Sequence, residues 1–287
     1  MYVLMFNNIK VLKYNLEDTF IEVLDCKRVP WFCKKYLDNN NRLYLSFIEW
    51  LSYRLMPLTK ANAKQLYTYI NCQQRASIME KAKLVSTMRA LSLNDSYWVK
   101  LDNENITFKE VDLRFNNFIN LIDISLKGMY PKVILNDAHP DFCTDGLFPK
   151  TWVRTPNGDI LLYKSGLQFN ELNVDCEVYS SRIIDCITDS NNSYVSYSKK
   201  FIDNIPISYC KLIDRENVSL ISFSELYEFY GESFKNTILP LFGNQIHNMN
   251  VIDYVLYNTD RHTGNYYFMV DEIDFEIVIP CMSISIV

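Results

Sequence analysis

The chain has 287 residues, 48% apolar and 22% charged, which is enough for one large domain or two modest ones with a sizeable core. Its net charge of −5 and pI near 5.3 argue against nucleic acid as the main partner, because neutralising phosphates requires clustered Lys and Arg. No run approaches the ~18 apolar residues of a membrane span. The first ten residues, followed by Lys13, Glu17 and Asp18, do not read as a leader, and eight cysteines without a Cys-x-x-Cys pair fit reduced thiols, so the expectation is a cytoplasmic protein away from membranes.

Residues 1 to about 40 alternate loosely, as in Val3-Leu4-Met5-Phe6 and Phe20-Ile21-Glu22-Val23-Leu24, and predict short strands and turns ending at Asp38-Asn39-Asn40-Asn41. Helical intervals follow: Leu43, Phe47, Trp50, Leu51 and Met56, then Leu66, Tyr69 and Ile70, then Ile78, Ala82, Val85 and Arg89 along a helix at about 75–90. Residues 1–100 thus form a mixed strand and helix module, whose apolar stripes read as core. Leu91 to Lys100 breaks the helical period. From Phe108 to Leu126 an amphipathic pattern resumes through Phe115, Phe118, Ile119 and Ile122.

After Pro131 the texture turns to strands. Thr151-Trp152-Val153-Arg154 and Ile160-Leu161-Leu162-Tyr163-Lys164 flank Pro156-Asn157-Gly158-Asp159, where Asn-Gly supplies the positive φ of a tight reversal. A helix is expected at about 174–187 with Tyr179, Ile183 and Ile187 spaced by fours, then strands at 194–198 and 206–213, and helices at 222–230, 233–239 and 244–257. The last of these leads into Asn258-Thr259-Asp260-Arg261-His262-Thr263-Gly264-Asn265 and the strand-like Tyr266 to Val270. In a tight loop, a carboxylate and a carboxamide five residues apart can face one point. Phosphoryl transfer uses that pairing, the acid on the attacking hydroxyl and the amide oxygen on Mg²⁺.

The pattern Asn-x-Asp-Arg-His-x-x-Asn after an apolar helix resembles the catalytic loop of HipA-like serine/threonine kinases, with a relative in phosphoinositide-kinase loops. The resemblance covers roughly residues 90 to 280, and Leu91 to Lys100 also resemble sequences of bacterial HipA-like proteins. It implies an α+β, two-lobed kinase-like fold with a helical segment in front. Residues 101–215 would be the N-lobe and 216–287 the start of a C-lobe that is incomplete. It further implies Asp260 as catalytic acid/base, Asn265 as a magnesium ligand, and Asn258, Arg261 and His262 as braces of the loop. ATP and Mg²⁺ would be the cofactors, a protein Ser/Thr hydroxyl the acceptor, and a cognate antitoxin or regulatory protein a further partner.

On the same resemblance Lys164, at the end of its strand, would meet nucleotide phosphates. Glu177 on the next helix would pair with it, Glu171 being the competing acid. Asp145-Gly146-Leu147-Phe148-Pro149-Lys150 resembles the family's phosphate loop, with Gly146 and Lys150 as its working residues, although a plain turn explains the same residues. Ser208-Tyr209-Cys210-Lys211-Leu212 takes the place of the inter-lobe hinge. One departure stands out: a second metal carboxylate is implied three residues after a proline, and three residues after Pro280 stands Ser283. Asp271, Glu272 and Asp274 lie nearby but read as the turn of a hairpin. Ser283 therefore favours a pseudokinase or toxin-like binding protein as the alternative to an active kinase.

Overall fold

In the computed structural model, which describes residues 1–135, 137–187, 195–212, 217–259 and 266–281, the alternating start of the chain forms three antiparallel strands. These are β1 (Tyr2–Phe6), β2 (Ile9–Asn15) and β3 (Phe20–Val23). A four-residue helix α1 (Trp31–Lys34) follows, then α2 (Asn40–Tyr53), α3 (Ala63–Tyr69) and α4 (Ile78–Thr87). β4 (Tyr97–Leu101) returns to pair with β1, giving the sheet order β3-β2-β1-β4. The protein is mixed α+β, built from several small antiparallel sheets, and divides into two units, Met1–Arg154 and Thr155–Val287.

In the first unit, β1 is buried on both faces, as its uninterrupted apolar run requires. Val3 and Met5 pack with Trp98, Leu91, Phe108 and Leu113. On the opposite face Phe6 meets Tyr97 edge-on, with ring centroids 4.8 Å apart, and Tyr97 meets Trp50 of α2 at 5.3 Å. α2 starts where the Asn39 side chain accepts the Arg42 amide, and α4 where Ser77 and Glu80 exchange hydrogen bonds in a capping box.

Two expectations are corrected here. In α4 the buried face is Ala82, Val85 and Ser86, while Ile78 is exposed and Arg89 lies beyond the helix with φ 65°, paired to Glu104 at 3.1 Å. Residues 108–126 form only short turns, at Phe108–Glu110 and Ile122–Leu126, and Phe115 is 73% exposed. The cause is local: Asp112 captures the Arg114 amide at 2.9 Å and Asn120 captures that of Ile122 at 2.8 Å, turns that compete with helical hydrogen bonds.

The first unit closes on a buried carboxylate. β5 (Lys150–Arg154) donates the Trp152 amide to Asp141 Oδ1 at 2.8 Å, and Thr151 Oγ1 and Ser125 Oγ donate to Asp141 Oδ2 at 2.7 and 2.5 Å. Lys60 Nζ donates to the Asp141 carbonyl at 2.8 Å. His139 accepts the Asp141 amide on Nδ1 at 3.0 Å and faces the Ile119 carbonyl through Nε2 at 2.8 Å, the arrangement of a neutral ring.

Burial lowers the His139 pKa below its ordinary 6.5, although the nearby Asp141 carboxylate opposes this. The ring is therefore neutral in both folded and unfolded chains above pH 6.5. Below that value the unfolded chain takes up a proton that the folded ring resists. Stability should thus be complete above about pH 6.5 and fall between there and the lower folded value, which urea unfolding at pH 7.5, 6.5 and 5.5 measures. His139→Gln should flatten that slope, and an unchanged slope would contradict it.

The second unit opens with a turn in which Gly158 adopts φ 91° and the Thr155 amide donates to Asp159 O at 2.8 Å. β6 (Ile160–Lys164), α5 (Glu171–Ile187), β7 (Ser198–Ile202) and β8 (Ile205–Lys211) follow, with β8 antiparallel to both β6 and β7. The expected stripe of α5 is wrong: Tyr179, Ile183 and Ile187 are exposed, and Val174, Glu177, Val178, Ser181 and Ile184 are buried. β9 (Val218–Ser222) runs into α6 (Phe223–Tyr230), and after α7 (Gly243–Val255) come β10 (Tyr267–Asp271) and β11 (Ile277–Cys281). β10 is central in this sheet, in the order β11-β10-β9, and Phe268 on it packs edge-on against Phe234, with centroids 5.6 Å apart. The acids at 271–274 occupy the turn between β10 and β11. Among the described residues no helix is long and apolar enough to cross a membrane.

Candidate functional site

Lys164 ends β6, directly across from Ser208 on β8. α5 lies on β8 and turns Val174, Glu177, Val178 and Ser181 inward at helical spacing, so a carboxylate reaches the end of β6 from above the sheet. Lys164 Nζ and Glu177 Oε1 are 2.8 Å apart, and Ser208 Oγ donates to Glu177 Oε2. Both carboxylate oxygens are thereby engaged. Lys164 Nζ also donates to the Tyr197 hydroxyl at 2.8 Å, and the Tyr197 amide donates to Ser181 Oγ at 2.9 Å, one turn beyond Glu177.

All four groups are buried, and Val178, Cys210 and Tyr197 form the apolar wall beside them. Burial by itself would lower the Lys164 pKa, but the facing Glu177 carboxylate outweighs it and holds the amine above its ordinary 10.5. Burial raises the Tyr197 phenol well above 10 despite the adjacent ammonium. At neutral pH the site is an ammonium clamped to a carboxylate, with a protonated phenol alongside. Such an ammonium has a fixed position from which to meet an anion, which a solvated surface lysine lacks.

The competing acid, Glu171, is engaged elsewhere: it is half exposed and pairs with Lys199 at 2.5 Å, which also takes Asp175 at 2.6 Å. Gly146 and Lys150 come together within the first unit. Gly146 has φ 100°, and any side chain there would run into the Lys150 ammonium folded over it. Ala61 N donates to Leu147 O at 3.1 Å, anchoring that loop, and burial raises the Asp145 carboxyl against the pull of Lys60 and Lys150.

Comparison with protein-family models and with curated proteins returns no match.

Of the loop carried by the sequence pattern, Asn258 is described. Its Nδ2 donates to Asp253 Oδ1 at 2.7 Å and its amide to Asp253 O at 2.8 Å, tying the loop's first residue to the buried end of α7. Asp260, Arg261, His262 and Asn265 lie outside the described residues, as does Ser283. Among the described residues no three His, Cys, Asp or Glu side chains cluster as metal ligands would, and the seven cysteines whose side chains are described are free thiols. Tyr197 and Asp253 carry no sequence signal of their own. Ser208 does, as the strand residue opposite a lysine, but only once the register of β6 against β8 is known.

Proposed function

We propose that this chain is a HipA-like, kinase-fold protein that binds ATP with Lys164 on the phosphates and transfers the γ-phosphoryl group to a protein Ser/Thr hydroxyl. The observation that supports this reading is the buried Lys164–Glu177 pair, a strand-end ammonium held by a helix carboxylate, upstream of a loop with the sequence of a phosphotransferase catalytic loop. In this reading Asp260 orients and deprotonates the acceptor hydroxyl, and Asn265 is a ligand of Mg²⁺, which would neutralise charge on the phosphates when bound. Asn258, Arg261 and His262 brace the loop.

A second reading is a pseudokinase or toxin-like interaction protein that binds nucleotide without transfer. Ser283 favours it, since a serine hydroxyl stands where the family pattern implies an anionic metal ligand. Calorimetric titration of ATP with and without Mg²⁺, in the wild type and Lys164→Met, tests the shared part. Affinity should fall at least about tenfold without the lysine, the loss of one charge-assisted contact of roughly 1.5 kcal/mol or more. Equal affinity in the two proteins would overturn it. Labelled phosphate on a protein acceptor, absent in Asp260→Ala, selects the kinase, and magnesium-independent binding with no labelled product selects the pseudokinase.

A further inference from the structure

A count of hydrogens at the Lys164–Tyr197 pair leaves two without an acceptor among the described residues, one on each side chain. The ammonium carries three, of which one goes to Glu177 Oε1 and one to the Tyr197 hydroxyl oxygen. Tyr197 accepts in that bond, so its own hydroxyl hydrogen must point elsewhere. Among the described residues it has no acceptor, and neither does the third ammonium hydrogen. Glu177 cannot supply one, because its second oxygen takes Ser208. Two buried donors on atoms 2.8 Å apart are thus left over, and a buried donor without an acceptor is destabilising.

One acceptor oxygen with a negative charge would satisfy both at once. A phosphate oxygen has that chemistry: several lone pairs, and charge to match the ammonium. Tyr197 is also held for the task, its amide fixed to Ser181 Oγ on α5 and its ring packed against Val178 and Cys210. We infer that Tyr197 is a second phosphate-binding residue, donating its hydroxyl to the same polyphosphate oxygen that Lys164 holds. This deepens the ATP-binding reading and rests on it for the identity of the ligand. The raised phenol pKa, with burial as its main cause, keeps the hydroxyl a donor across the neutral range.

Tyr197→Phe keeps the ring and removes the hydroxyl, both its donor hydrogen and the oxygen that accepts from Lys164. In calorimetric titrations it should weaken ATP about five- to tenfold and leave adenosine unchanged, since adenosine carries no phosphate. A residue that merely packs the core would weaken both alike or neither, and either result would overturn the assignment. Inorganic tripolyphosphate separates this claim from the reading it rests on. If the wild type binds tripolyphosphate but not ATP, and Tyr197→Phe weakens it five- to tenfold, the phosphate site stands and the nucleotide reading falls. If the wild type binds neither, both fall. Urea unfolding of Tyr197→Phe confirms that the variant compared is folded.

Discussion

Glu177→Ala should destabilise the protein by about 3–5 kcal/mol, the cost of leaving a buried ammonium without its counter-charge. Lys164 and Glu177 are 7% and 9% exposed, so water cannot replace the lost carboxylate without opening the packing of α5 on β8. Ser208 would lose its acceptor in the same stroke. The double variant Lys164→Met, Glu177→Leu should cost much less, because removing both charges also removes the penalty of burying them. Urea denaturation of both variants checks this, and a single-variant cost below about 1 kcal/mol would mean that the pair behaves as an exposed one. The pH dependence follows from the direction of the Lys164 shift. An amine held above 10.5 in the folded chain contributes its full stability below pH 10.5 and loses it as pH rises through the folded value, so the neutral range is unaffected.

The pair was legible in sequence because each partner sits where local structure dictates. A strand-end lysine and an acid on the following helix need only the order β6 then α5. The choice between Glu171 and Glu177 was not legible, and the reason lies in the helix register. Tyr179, Ile183 and Ile187 make the more apolar stripe, but the face that meets β8 carries Val174, Val178, Ser181 and Ile184, with small serines where the strand comes close. Burial follows the partner surface more than hydrophobicity alone, and Glu177 shares that face while Glu171 does not. The turn at Asn157-Gly158 and the first three strands were readable for the ordinary reason that side-chain period and positive φ are local properties. The 108–126 segment misled because Asp112 and Asn120 redirect the backbone through short side-chain bonds that an apolar count does not see. Tyr197 was out of reach, since the residue that completes the Lys164 site is 33 positions away and carries no pattern.

The same argument applied to the first unit gives the other large effect. Asp141 is fully buried and accepts from Ser125 and from Thr151 and the Trp152 amide of β5, so its carboxylate ties two stretches of chain together. Asp141→Ala strands three donors in the interior and removes the charge that favours the Lys60 ammonium against burial. At about 1–3 kcal/mol per unmet donor, partly relieved by relaxation, the expected loss is roughly 3–5 kcal/mol. Asp141→Asn should cost less, about 1–3 kcal/mol, because its carbonyl can still accept from Trp152 N while its amide donates to hydroxyls that rotate to accept. The backbone amide cannot rotate in this way, which makes Trp152 the donor whose loss is felt most. Urea unfolding of the two variants beside the wild type measures the ranking. Should Asn prove as costly as Ala, charge and not donor satisfaction would be what holds the centre of this unit together.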